Sequence, residues 1–137
     1  GMPAIMSAPY PLEFIDERNT ITVQIEEYDT TRIIHMGAQS SAIPAPSILG
    51  YSTGHWEDGT LVVMTTGINW GHFASRGIPT SENIEIVERF TPIENGSKLQ
   101  YEITVTDTAT FTQPVVMGKT WIWLPDVKVE PYECITN

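Results

Sequence analysis

Two dipeptides constrain this chain more than anything else in it. Asp58-Gly59 separates residues 51–56 from residues 60–66, and Asn95-Gly96 separates residues 85–91 from residues 98–106. All four flanking runs are rich in β-branched and aromatic side chains. Asx-Gly between such runs is the strongest local hairpin signal, because both central residues of a type I′ turn need positive φ. Leu99, Tyr101, Ile103 and Val105 alternate with Gln100, Glu102 and Thr104, the period of a half-buried strand. Two hairpins of this quality point to an antiparallel all-β fold.

The remaining chain continues the pattern. Residues 12–15 form a short, largely apolar run, Glu17-Arg18-Asn19 reverses the chain, and residues 20–28 alternate through Ile21, Val23 and Ile25. Asp29-Thr30 reads as a tight turn into residues 31–36. Pro44 and Pro46 make residues 37–50 a loop. Residues 119–124 and 127–132 read as two closing strands around Pro125-Asp126. About nine strands in sequence predict one domain, residues 1–137: an antiparallel up-and-down meander closing into a lipocalin-like barrel, with a β-sandwich as the alternative. Only residues 80–84 have the makings of a helical turn.

Composition narrows the partners. Seventeen acidic residues against seven Lys plus Arg leave a net charge of −10, which repels nucleic acid and anionic membrane surfaces. No apolar stretch is long enough to insert in a membrane. Cys134 is the single cysteine, so no internal disulfide framework or cysteine-based zinc cluster is expected. A small-molecule ligand and a homo-oligomer are the partners that this surface allows.

Residues 67–83 form a long connection, and loops of this kind in small domains are often lids. This one carries Asn69, Trp70, His72 and Phe73, whose aromatic groups need a surface to cover. Strict alternation along residues 84–90 aims Glu88 inward with Ile84, Ile86 and Phe90. A buried carboxylate needs a partner, and Arg32 shares a strand face with Ile34 and Met36. Such a pair serves either as an internal ion pair or as a polar anchor for a ligand. His35, His55 and His72 lie on separate elements without a His-x-His pair, and the sequence assigns no metal and no cofactor. There is no Gly-x-Ser-x-Gly elbow for nucleophilic catalysis.

The run from Gly50 to Val63 (GYSTGHWEDGTLVV), then Ile86-Val87-Glu88-Arg89-Phe90, then Tyr101-Glu102-Ile103-Thr104-Val105-Thr106-Asp107, resembles a family of bacterial all-β proteins, often exported and without established activity. The resemblance extends over nearly the whole chain, from Tyr10-Pro11-Leu12-Glu13-Phe14 to Tyr132-Glu133-Cys134. It implies a periplasmic or secreted setting, though residues 1–11 show no signal-peptide pattern and a cytoplasmic one is not excluded. It supplies no catalytic residues. Thr108 stands where that family commonly has Pro.

The leading expectation is a barrel that binds an apolar or amphipathic small molecule beneath a lid at residues 67–83. Arg32, His35, Trp56, Asn69, Trp70, His72, Phe73, Glu88 and Tyr101 are its candidate contacts. One alternative is a small-barrel enzyme using His35, His72 or Glu88 as acid or base. Another is an interaction domain whose core is filled by its own side chains.

Overall fold

The computed structural model describes residues 1–37, 44–74 and 77–132. Eight strands form a single sheet in sequence order: β1 (Leu12–Asp16), β2 (Thr20–Ile25), β3 (Thr30–Met36), β4 (Tyr51–Glu57), β5 (Thr60–Thr66), β6 (Glu85–Ile93), β7 (Lys98–Thr106) and β8 (Val115–Ile122). The sheet curls into a half-barrel, so the all-β, barrel-like expectation holds.

Both Asx-Gly signals mark hairpin turns. Asp58 (φ 48°) and Gly59 (φ 83°) are left-handed, and Glu57 pairs directly with Thr60, as a two-residue type I′ loop requires. The second turn is wider: Ile93 pairs with Lys98, and Glu94, Asn95 and Gly96 all have positive φ. At the β2–β3 turn the left-handed residues are Tyr28 and Asp29 rather than Asp29-Thr30, since Ile25 already pairs with Thr30.

Three features depart from a simple closed meander. β3 and β4 are parallel, Ile34 lying opposite Ser52 and Met36 opposite Gly54, which the long connection at residues 37–50 allows. Among the described residues no ladder joins β1 to β8, so the barrel is open. The expected pair of closing strands is one strand, β8, which begins at Val115, directly after Pro114. Residues 127–132 make no ladder and instead cross to the opposite end of the sheet, where Glu26 Oε1 accepts from Glu130 N (3.0 Å) and Asp29 Oδ1 from Tyr132 N (2.8 Å). Cys134 lies outside the described residues.

The concave face holds the core. Alternation brings Ile21, Val23 and Ile25, then Ile34, then Leu61 and Val63, then Ile86 and Phe90, then Ile103 and Val105 to one side, all buried. Each such side chain contributes roughly 1.5–3 kcal/mol by leaving water. The N-terminal segment completes this core: a 3-10 turn at Ala4–Ser7 seats Ile5 and Met6 in the concavity, and Met2 is fully buried. Met2 N donates to Ile48 O (2.9 Å), which ties the segment to the end of the long loop.

Candidate functional site

Polar groups on five strands meet in the middle of the concave face. Register places Arg32 beside Val23 and Glu88 between Val63 and Ile103, so both long side chains project into the core. Arg32 is 1% exposed and Glu88 0%. The guanidinium grips the carboxylate with both terminal nitrogens, Nη2 to Oε1 at 2.5 Å and Nη1 to Oε2 at 3.0 Å. Nη2 also lies 3.1 Å from Ser52 Oγ and 3.0 Å from Thr65 Oγ1, hydroxyls that are themselves 2.7 Å apart. The Tyr101 hydroxyl donates to Glu88 Oε2 at 2.8 Å.

Two charges removed from water are tolerated when each is paired and its remaining lone pairs or protons are engaged. Burial opposes the Arg32 charge, but the Glu88 carboxylate more than offsets this and holds the guanidinium pKa above its ordinary value. Burial, then the Glu88 charge, push the Tyr101 phenol far up, so it is a neutral donor throughout the physiological range. Within this network, Arg32 Nε is buried without a hydrogen-bond partner. Five strands are cross-linked here, and the group is enclosed by the core rather than exposed to a ligand.

A cavity opens beside this network. It is half open to solvent, its volume is about 220 Å³, and four segments line it. Pro3, Ala4, Met6 and Ser7 come from the N-terminal turn, and Phe73 and Ala74 from the long loop. Tyr101 and Ile103 come from β7, and Met117, Gly118 and Lys119 from β8. The walls are predominantly apolar. Tyr101 serves both places: its ring borders the cavity while its hydroxyl is committed to Glu88. Lys119 lies opposite Tyr101 across the β7–β8 ladder, its ammonium 4.6 Å from the centre of the Trp121 ring and 3.5 Å from Ala8 O. Partial burial lowers its pKa. A larger depression of about 430 Å³ runs along β7 and β8 themselves, from Gln100 to Glu102 and Val116 to Thr120. It is open strand surface, deepened where Gly118 sets no side chain beside Glu102, and it lacks enclosing walls.

The expected site residues distribute unevenly over this geometry. Phe73 and Tyr101 reach the cavity, and Arg32 and Glu88 form the network behind it. Trp70 is half-buried and packs against Gly1, with its indole N–H buried and unpartnered; it does not line the cavity. His72 is exposed and meets Trp70 edge to face. Asn69 is exposed, its N–H bonded to Ser47 O (2.7 Å). His35 stacks on Tyr51 with ring centres 4.6 Å apart. Trp56 lies beside the Asp58-Gly59 turn, 58% exposed, past the end of the core. Among the described residues, no cluster of three His, Cys, Asp or Glu has a metal-binding arrangement.

Lys119 and Met117 were absent from the expected site, although the signal that singles out Glu88 applies equally to them. Met117, Lys119 and Trp121 recur at period two, with a charged group between two apolar ones. The signal is hidden because the strand begins four residues before residue 119. The contribution of the N-terminal segment has no periodicity to reveal it.

Comparison with family models, with curated proteins and with solved structures returned no match. Function must therefore be argued from this geometry.

Proposed function

We propose that this half-barrel is a binding module for a small, largely apolar molecule, held in the cavity between the N-terminal turn, the Phe73 loop and β7–β8. The observation that carries the reading is convergence: the N-terminal turn, the Phe73 loop and the β7–β8 ladder line a half-open, mainly apolar space that none of them fills. Apolar lining with a few placed polar groups is the usual composition of a ligand site. At about 220 Å³ the space lies below the range for drug-sized molecules, so the occupant is small. The loop at residues 67–83 takes part through Phe73 and Ala74 rather than through Trp70. The resemblance to exported bacterial proteins supports a periplasmic or secreted setting for this role.

An enzyme using His35, His72 or Glu88 gains little support. His35 is stacked on Tyr51, His72 is exposed, and Glu88 is enclosed by Arg32 and Tyr101; among the described residues the three share no hydrogen bond.

Methionine methyl resonances test the binding reading directly. Of the five methionines, Met6 is buried and lines the cavity, Met117 lines it while 40% exposed, and Met64 lies exposed elsewhere on β5. Titration with short-chain alcohols and acids should shift Met6 and Met117 and leave Met64 in place. Uniform small shifts, or none across a broad panel, would remove the cavity from consideration as a ligand site.

A further inference from the structure

Building on the cavity reading, we infer that the ligand carries a single carboxylate and that Lys119 receives it. The chain has seven basic residues, and among those described Lys119 is the one that lines the cavity. Three others are already in ion pairs: Arg32 with Glu88, Arg89 with Glu57 and Lys98 with Glu94. Lys119 has no carboxylate within salt-bridge distance among the described residues. Its ammonium has only a long contact to Ala8 O and the face of Trp121. A half-buried cation without a counter-ion beside an apolar space favours an anion that brings its own apolar body. Pairing would restore the electrostatic stabilisation that burial removes from the ammonium.

The same surroundings select against other head groups. The Tyr101 hydroxyl is committed to Glu88 and cannot be shared without loosening the central pair. Among the described residues no arginine lines the cavity, and a single lysine ammonium is a point charge without the bidentate fork suited to phosphate. The net charge of −10 repels polyanions most strongly, whereas a monoanion carries a smaller penalty that one short-range ion pair offsets. The apolar residues Met6, Phe73, Ile103 and Met117 then take an aliphatic or aromatic body. A short-chain monocarboxylate fits both the volume and the charge.

The test compares pentanoate, 1-pentanol and pentylammonium, matched in body and differing in head group, on the full chain with Met6 and Met117 methyl shifts as the readout. Wild-type protein should bind pentanoate about tenfold or more tightly than 1-pentanol, the discrimination that a charge-assisted hydrogen bond supplies. Pentylammonium should bind weakest. Lys119→Met, which keeps the apolar stem, should erase the preference by bringing pentanoate to the affinity of 1-pentanol in the same variant; Lys119→Gln provides the same comparison if the first variant folds poorly. Equal affinity for all three probes in the wild type would overturn the carboxylate inference and leave the cavity reading standing. A carboxylate preference retained in the Lys119 variants would also overturn it. If none of the probes shifts Met6 and Met117, the cavity reading falls and this inference falls with it.

Discussion

Glu88 shows how much one side chain can carry in this fold. It accepts from Arg32 twice and from Tyr101 once, in a site closed to water. Glu88→Ala leaves the guanidinium buried without its counter-ion and frees the Tyr101 hydroxyl, so a loss of about 3 kcal/mol or more is expected in urea unfolding. The double variant Arg32→Met, Glu88→Leu removes both charges. It should be less destabilised than Glu88→Ala alone, because a buried pair replaced by apolar groups of similar volume is often near neutral. A double variant that is worse than the single would mean that Ser52, Thr65 and Tyr101 depend on the charges for their own order. Lys119 stands in contrast, with its charge partly buried and no acid against it among the described residues.

The hairpins and the long β3–β4 crossing depend on backbone conformations that glycine supplies, and two positions separate the reasons. Gly59 has φ 83° and open space where a Cβ would stand. Gly59→Ala should therefore cost only the left-handed penalty, about 1–2 kcal/mol. Gly50, just before β4, has φ 69°, and a Cβ there would approach the Thr66 carbonyl oxygen to 2.6 Å. That atom belongs to the neighbouring strand and cannot move without opening the β4–β5 ladder. Gly50→Ala should thus shift the urea midpoint further than Gly59→Ala; equal shifts would show that the end of β5 yields easily. β8 is an element of another kind. It is an edge strand on which Trp121 packs against Phe90 and Tyr101, while Met117 and Lys119 lie toward the N-terminal turn and the Phe73 loop with Met117 left 40% exposed, and this thin cover is why the cavity lies there.

At the scale of the whole molecule, acid stability depends on where the long loop is fastened. Asp107, at the end of β7, is inaccessible to solvent beneath a thin layer of chain. It accepts from Ser81 N (2.7 Å) and Ser81 Oγ (2.6 Å), and from Thr110 Oγ1 (3.2 Å) and Ala109 N (3.3 Å). Burial pushes its pKa up, but these hydrogen bonds outweigh it and hold the carboxyl below the usual aspartate value. A depressed folded-state pKa stabilises the native state fully above the unfolded value, near pH 4, and this contribution disappears as pH falls through the folded value. Asp107→Asn should lower stability at neutral pH and flatten the melting-temperature profile below about pH 4. Parallel wild-type and variant profiles down to the acid limit would show that Asp107 does not couple the loop to protonation. Local order decided much of this architecture. The left-handed Asp58-Gly59 turn, the alternation of β6 and β7 and the inward aim of Glu88 arise from neighbours within a few residues, and such rules are legible in the chain. The parallel β3–β4 pair, the burial of Met2 and Met6 in the concavity, the outward placement of His72 and the arrival of Phe73 and Lys119 at one cavity depend on contacts between segments tens of residues apart. Only the tertiary structure decided these, because hydrophobic burial is non-directional and records in the sequence that a residue needs cover without recording which segment provides it.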